Sequence, residues 1–302
     1  MSDNRVRVAA IANPAAGGSP ENAVRVLLEH PGIDLRTLPT TGPGDAERIA
    51  AEQSRDGWAE VVVAVGGDGT AAQVASGLYA YPGPPLLVAP AGTGNSNYRG
   101  LCDDREWTDI VEALAAGTLE HRRIDLAVAD GIDRVILLGT TTGILPTTLE
   151  IARTMTGSGR DLLGRAAMEA LTTQVSYPTR VFIDGEIFHE GELLGTYIGG
   201  MRHRGGRFEM LPTSLIDDGL LDVCLLSGTT EPRYGRGTAI TIERTDAVPP
   251  LIELDGELHR PDTAGYTVRV LPAALEVLVP TPLPPAFGAR ATVPETVTAP
   301  AR

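Results

Sequence analysis

Two glycine-rich loops carry the residues of this chain that are best suited to chemistry. Residues 66–70 read Gly-Gly-Asp-Gly-Thr after the apolar run 61–65, and residues 92–95 read Gly-Thr-Gly-Asn after the run 85–89. Glycines let the backbone approach a phosphate closely with its N–H groups pointing at the anion. A helix that begins directly after such a loop adds its positive N-terminal end. The two loops therefore predict a nucleotide phosphate site.

The polar side chains of the first loop suit the same chemistry. Asp68 could hold Mg²⁺ directly or through water, and Thr70 offers a hydroxyl and a helix cap. A third loop, residues 13–18, reads Asn-Pro-Ala-Ala-Gly-Gly and follows the first apolar run. Ordinary turns are the structural alternative for each loop. The double glycine directly after a buried-type strand favours a ligand loop at residues 66–70.

These loops require a sheet that brings several strand ends together. Apolar runs alternate with helical spacing in the first part of the chain. Strands are predicted at 6–12, 34–38, 61–65 and 85–89, and helices at 20–29, 46–53, 70–78 and 107–116. This βαβ series predicts a parallel sheet with ligand loops at the carboxyl ends of its strands.

The pattern of apolar and turn residues changes after about residue 123. Short apolar runs separated by turn residues predict antiparallel strands, with one helical insert at 162–174. From residue 281 the chain is rich in Pro, Ala and Thr and has few large apolar residues. We therefore predict an α/β domain over 1–122, a mainly antiparallel domain over 123–280 and a disordered tail over 281–302.

Composition excludes several classes of partner. The formal net charge of −14 over 302 residues repels nucleic acid and counts against docking on acidic membranes. Residues 202–204, Arg-His-Arg, together with Arg207 are the best candidate basic patch, and a solvated loop is the favoured interpretation. Neither an apolar run of membrane-spanning length nor a signal-peptide core is present, which predicts a cytoplasmic protein without stable membrane insertion.

Common alternative motifs are missing from the sequence. No Gly-x-x-x-x-Gly-Lys-Ser/Thr pattern is present, and no Gly-x-Gly-x-x-Gly follows the first strand with a suitably placed acidic residue. These absences disfavour a P-loop NTPase and an ordinary dinucleotide dehydrogenase. The two cysteines and five histidines show no metal-ligand spacing, which disfavours a catalytic zinc. Two cysteines in a chain of this length also do not indicate a disulfide framework.

Together with two later segments, the glycine loops resemble the diacylglycerol kinase catalytic family, which includes bacterial lipid kinases, sphingosine kinases and ceramide kinases. The later segments are residues 212–222, Pro-Thr-Ser-Leu-Ile-Asp-Asp-Gly-Leu-Leu-Asp, and 254–257, Leu-Asp-Gly-Glu. The motifs follow in order across about residues 6–280. NAD kinases and phosphofructokinases share the loop at 66–70, but the later segments favour the lipid kinase branch.

This resemblance implies an α/β nucleotide-binding domain, a β-sandwich domain, and ATP phosphates in the cleft between them. The implied ATP site consists of Asn13, Thr40 or Thr41 near the adenine, Gly66, Gly67, Asp68, Gly69, Thr70, Gly92 and Thr93. The implied catalytic group comprises Asp255 as the general base, Glu257 beside the metal or phosphate, and Asp68 with Mg²⁺. A structural metal site is implied at Asp217, Asp218 and the backbone of Leu220.

The chain contains a second Asp-Gly-Glu at residues 184–186, between apolar runs. Asp-Gly is favoured in hairpin turns, and this copy precedes the segment 212–222 where the family's catalytic copy follows it. We assign a turn to Asp184 and the chemistry to Asp255, for which a hairpin turn is the structural alternative.

Several departures from the family pattern surround the expected acceptor pocket. Gln73 stands where the family usually has Glu, and Ser96 and Asn97 replace an Asp-Phe pair. The early loop lacks a Lys or Arg after Gly17, and residues 139–144 read Gly-Thr-Thr-Thr-Gly-Ile. These changes predict a remodelled substrate site.

The leading hypothesis is a kinase that uses ATP and Mg²⁺ to phosphorylate a hydroxyl of a lipid alcohol such as diacylglycerol or a sphingoid base. A soluble alcohol of specialised metabolism is the rival acceptor, and the segment 212–222 disfavours an NAD kinase. A nucleotide-binding regulator that has lost catalysis is the alternative outside enzymes. The sequence leaves a homodimer open and does not identify the acceptor.

Overall fold

The computed structural model describes residues 5–132, 134–157, 159–205, 208–228 and 231–288. The elements of the first part are β1 (Val6–Ala12), α1 (Pro20–Glu29), β2 (Ile33–Pro39), α2 (Asp45–Asp56), β3 (Val61–Gly66), α3 (Asp68–Ala80), β4 (Leu86–Pro90), α4 (Ser96–Cys102) and α5 (Trp107–Ala115). The helices and strands alternate as the hydrophobic periodicity predicts, except that the short helix α4, which has no sequence prediction, precedes α5.

The second part is mostly strands, interrupted by two helices. Its elements are β5 (Glu120–Ala129), β6 (Val135–Ile136), β7 (Thr140–Gly143), α6 (Ile144–Thr154), α7 (Gly159–Thr173), β8 (Tyr177–Ile183), β9 (Glu186–Leu193), β10 (Gly195–Gly199), β11 (His203–Arg204), β12 (Phe208–Glu209), β13 (Leu221–Leu226), β14 (Arg233–Gly237), β15 (Ala239–Arg244), β16 (Ile252–Leu254), β17 (Glu257–His259) and β18 (Gly265–Val279).

A ten-stranded sheet runs through both parts. Its order is β2-β1-β3-β4-β18-β15-β8-β9, and β5 pairs with β18 and β6. The first four strands are parallel, as their crossover helices require. The long strand β18 runs parallel to β4 and antiparallel to β5 and β15, so it joins the parallel half to the antiparallel half.

A second, antiparallel sheet of order β14-β13-β10-β7-β16-β17 faces the antiparallel half of the first. Val181 and Ile240 from one sheet share a buried core with Val223 and Ile252 from the other. The expected fold, an α/β domain with a parallel sheet followed by a mainly antiparallel β-sandwich domain, is confirmed.

The chain crosses between the two parts more than once. The predicted boundary at residue 122 falls inside β5, and Val277 from the end of β18 packs into the core of the parallel-sheet part. Residues 281–288, predicted to begin a disordered tail, are ordered: Phe287 is buried, and the amide of Ile216 donates to the carbonyl of Ala286. The rest of that predicted tail, 289–302, lies outside the described residues.

The helical insert is larger than its sequence pattern indicates. α7 corresponds to the predicted helix at 162–174, whereas α6 has no sequence prediction. Threonines and a proline weaken its helical signal, but Pro146 lies in the first turn, where a missing N–H costs no helical hydrogen bond. The two helices pack against each other and border the cavity described below.

Candidate active site

A cavity of about 1140 Å³ lies between the two parts of the molecule. From the parallel-sheet part it is lined by Asn13, Gly17, Thr40, Thr41, Gly67, Asp68, Gly69, Thr70, Gln73, Gly92 and Thr93. From the sandwich part it is lined by Leu138, Ile144, Leu145, Leu149, Leu163, Ala167, Leu171, Arg204, Phe208, Met210, Leu226, Glu253, Asp255 and Glu257. The cavity therefore joins a glycine-loop side to a largely apolar side.

The glycine loops meet because each follows one of four neighbouring parallel strands. A Cβ on Gly92 would lie 2.3 Å from the Cα of Gly67, and one on Gly17 would lie 2.4 Å from Oγ1 of Thr93. Only glycine allows these close approaches, to the backbone of Gly67 in one case and to the side chain of Thr93 in the other. Asn13 adds a side-chain link, since its Nδ2 donates to Oγ1 of Thr70 at 3.3 Å. The three predicted loops are thus brought together at the carboxyl edge of the sheet.

Two residues of the predicted nucleotide site, Thr40 and Gly66, lie in different places relative to the cavity. Thr40 follows β2 and lines the cavity, where its amide also donates to the carbonyl of Ala12 at 2.8 Å. Gly66 ends β3 behind the loop and does not line the cavity. A Cβ at Gly66 would collide with Thr70, so this glycine shapes the start of α3.

Asp68 begins α3, and its carboxylate reaches the N-terminus of α4. Oδ1 accepts the amide of Asn97 at 2.9 Å, and Oδ2 accepts that of Ser96 at 3.2 Å. Each oxygen keeps a further lone pair, and the residue lines the cavity. Among the described residues no three acidic, histidine or cysteine side chains cluster as a metal cage. This donor set fits Mg²⁺ that arrives on nucleotide phosphates, because Mg²⁺ commonly takes only one or two protein carboxylates.

Asp255 occupies the turn between β16 and β17, where φ is 49° at Asp255 and 97° at Gly256. Its carboxylate is fully buried and accepts the amides of Leu137 at 2.9 Å, Leu138 at 2.7 Å and Gly139 at 3.1 Å. Burial raises its pKa to about 6, and the three hydrogen bonds oppose that rise. These contacts fasten the strand segment before β7 to the turn.

Glu257, two residues later, presents a more accessible carboxylate to the cavity. Its side chain is 40% exposed, Oε2 accepts Nη1 of Arg134 at 2.6 Å, and Oε1 accepts Nε2 of Gln73 at 3.3 Å. Gln73 belongs to α3, the helix that starts at the phosphate loop. Glu257 is therefore held beside that loop by one contact from each part of the molecule.

Comparison with known proteins identifies the family. A sequence profile of the diacylglycerol kinase catalytic domain matches residues 7–129. The Pseudomonas fluorescens protein named "Probable lipid kinase YegS-like" is 30% identical over 86% of this chain and 90% of its own length. The chain belongs to the diacylglycerol kinase catalytic family. "Probable lipid kinase YegS" of Salmonella typhimurium is 29% identical over 89% of this chain and 94% of its own length.

The fold agrees with this membership. The crystal structure of a diacylglycerol kinase from Bacillus anthracis superimposes with a TM-score of 0.70, covering 92% of this chain and 98% of that one at 19% identity. Within the described residues, no helix of this family member has the length and apolar character needed to cross a bilayer.

Sequence reasoning missed a buried ion pair in the cavity wall of this diacylglycerol kinase family member. Arg204 pairs with Glu253, whose Oε2 also accepts Oγ1 of Thr141 at 2.8 Å and whose Oε1 accepts the amide of Gly256. Burial alone would lower the pKa of Arg204, but Glu253 raises it above the ordinary value. The basic run at 202–204 was the available signal, and the solvated interpretation is wrong for Arg204. Arg207 lies outside the described residues.

The predicted structural metal segment has a different electrostatic partner. Oδ2 of Asp217 pairs with Nη2 of Arg122 at 2.5 Å, and Oδ1 accepts the amide of Gly288 at 2.8 Å. Oδ2 of Asp218 pairs with Arg236 at 2.7 Å. Leu220 donates its amide to Oδ1 of Asp218 at 3.1 Å. With both carboxylates neutralised by guanidinium groups, this arrangement does not fit a divalent cation, and we derive no metal role from it.

Proposed function

We propose that this protein is an ATP-dependent kinase that transfers the γ-phosphate to a hydroxyl of a lipid alcohol. The single observation that carries the proposal is the cavity, in which phosphate-type glycine loops and an apolar lining share one continuous space. The loops suit a nucleotide, and an apolar pocket of this size suits an acyl or alkyl chain. The lining favours a lipid over a soluble alcohol as the acceptor.

ATP would lie with its phosphates against residues 67–70 and 92–93. Backbone N–H groups and the start of α3 stabilise negative charge there without reorganising during the reaction. When bound, Mg²⁺ supplies charge neutralisation on the phosphates, and Asp68 is the side chain that would hold it. Phosphoryl transfer depends mainly on such positioning and charge stabilisation.

Glu257 is the residue that we assign to accept the proton of the acceptor hydroxyl. Its side chain is 40% exposed beside the phosphate loop, whereas Asp255 is fully buried and accepts three backbone amides. Arg134 and Gln73 hold Glu257 in place. We therefore propose Asp255 as the residue that positions this turn, in place of the base role suggested by the resemblance.

The test is a transfer assay with labelled ATP and Mg²⁺, offering diacylglycerol, sphingosine and a panel of small alcohols in detergent micelles. We expect labelled product with at least one lipid and none with the small alcohols. Product from a soluble alcohol alone would support the rival acceptor. Binding of ATP without transfer to any acceptor would support a regulator that has lost catalysis.

A further inference from the structure

The apolar lining of the cavity continues onto the outer surface of the protein. On α7, Leu163, Ala167 and Leu171 follow the four-residue spacing of one helix face, and all three line the cavity. Met168 lies next to that row on the helix surface but does not line the cavity, and Val175 follows just after the helix. The apolar surface of this region thus extends beyond the residues that line the cavity.

These side chains are unusually open to solvent for their type. The exposed fractions are 65% for Met168, 57% for Leu171, 77% for Val175 and 71% for Phe208. Leu171 and Phe208 line the cavity as well, so they lie at its rim. Large apolar side chains grouped at a cavity rim mark an interaction surface more often than scattered ones do.

The charge of this region differs from that of the whole chain. Segment 144–175 contains three basic residues, Arg153, Arg160 and Arg165, and three acidic residues, Glu150, Asp161 and Glu169, so its formal charge is zero. The whole chain carries −14. An anionic bilayer would therefore repel this segment less than the rest of the protein, and a zwitterionic bilayer would repel neither. The same neutrality gives no electrostatic attraction, so contact would depend on apolar insertion.

We infer that the rim formed by Met168, Leu171, Val175 and Phe208 docks on the surface of a lipid bilayer. This inference rests on the proposed function, because a lipid acceptor must pass from a bilayer into the cavity. Docking at the rim lets the acyl chain move along a continuous apolar path without crossing water. The contact is peripheral and leaves the nucleotide side of the cavity open to solution.

The test measures co-sedimentation of the full protein with phosphatidylcholine vesicles, without ATP. The variant Met168→Ser/Val175→Ser changes two exposed residues outside the cavity lining. The matched control Leu28→Ser/Val248→Ser removes two exposed apolar side chains elsewhere. We expect the rim variant to weaken vesicle binding by about tenfold or more, and the control to change it by less than about twofold.

Further readouts separate the bilayer from other occupants. Added salt should not weaken binding, and added phosphatidylglycerol should not strengthen it. Binding that salt abolishes, or that both variants weaken equally, would overturn the docking surface. So would a dimer of the unmodified protein, measured by light scattering without vesicles, that the rim variant converts to monomers.

Failure of docking and failure of the proposed function give different results. Normal transfer to a micellar lipid by a protein that does not bind vesicles overturns the docking surface and leaves the kinase proposal intact. Vesicle binding that depends on the rim, without transfer to any acceptor, supports the docking surface and contradicts the kinase proposal. The rim variant should retain transfer to the micellar lipid, because neither altered residue lines the cavity.

Discussion

The tripeptide Asp-Gly-Glu occurs twice in this chain and forms the same kind of turn each time. φ is 50° and 87° at Asp184 and Gly185, and 49° and 97° at Asp255 and Gly256. Such positive values are typical of a two-residue hairpin turn with an Asp-Gly sequence. Asp184 accepts the amides of Thr238 and Ala239, each at 2.9 Å, and Asp255 accepts three amides.

Their surroundings shift the pKa values of these two aspartates in opposite directions. Hydrogen bonds from Thr238 and Ala239 lower the pKa of the exposed Asp184. Burial raises the pKa of Asp255 to about 6, despite a similar set of hydrogen bonds. The difference is desolvation, which favours the uncharged acid when water is excluded. Identical local sequence therefore gives a simple turn at one site and a buried anchor beside a cavity at the other.

The largest expected difference between the two Asp-Gly-Glu turns is in the catalytic effect of changing their glutamates, Glu257 and Glu186. We expect Glu257→Gln to lower kcat for phosphate transfer by about 100- to 10,000-fold, because the amide cannot accept the hydroxyl proton. ATP binding should survive. The measurement is steady-state transfer to the best micellar lipid, with nucleotide affinity measured in parallel.

Glu186→Gln is the matched control, since it changes the same position of the other turn. Its kcat should stay within about twofold of the unmodified value. Full activity of Glu257→Gln would show that Glu257 is not the base and would favour Asp255 in that role.

The two aspartates should differ next in stability. Asp255→Ala leaves three buried amides without an acceptor, and we expect it to lower the free energy of unfolding by roughly 3 kcal/mol. Asp184→Ala should cost less, because water can reach the amides it leaves. Denaturant unfolding of both variants gives the comparison, and equal losses at the two sites would contradict it.

The pH dependence of stability should have opposite signs at the two sites. Between about pH 6 and pH 4 the native state binds more protons at Asp255 than the unfolded state does, so this residue adds stability as pH falls. Asp184 has a lowered pKa, so its contribution is present above about pH 4 and is lost below it. The check is the difference in unfolding free energy between the protein and its Asp255→Asn or Asp184→Asn variant, measured across pH. The same sign of pH dependence at both sites would show that burial does not separate them.

The smallest expected effect tests what distinguishes Glu257 from Glu186. Gln73→Glu replaces the amide that donates to Glu257 with a like charge, which should push the two carboxylates apart and lower kcat by about threefold to tenfold. Gln73→Met removes the hydrogen bond without adding charge and should lower kcat less. The measurement is kcat for transfer to the micellar lipid at low and high salt, and an unchanged kcat in Gln73→Glu would contradict contact between the two side chains in the working enzyme.

The fold class could be predicted because local patterns and global topology agree. Buried strands followed by helices indicate parallel pairing, and parallel strands place their carboxyl ends together. The meeting of the loops that contain Asn13, Gly67 and Gly92 follows from that rule. α6 was missed because its threonines and Pro146 hide a helix that packing against α7 stabilises.

Other features depend on partners far away in the chain. The sequence does not show that Arg204 pairs with Glu253, or that Arg122 and Arg236 neutralise the acidic segment that contains Asp217. It also does not show that residues 281–288 pack against the parallel-sheet part. Each of these contacts joins residues that lie more than ten positions apart in the chain, which local periodicity does not encode.

Local sequence patterns are enough to predict the family, the glycine loops and the turn at Asp184, because backbone preferences and motif order are local properties. Three-dimensional packing sets which carboxylate of the second Asp-Gly-Glu is exposed to the cavity and which is fully buried. It also decided that the apolar row of α7 opens at a rim. These outcomes depend on desolvation and long-range packing, which exist only when distant segments come together.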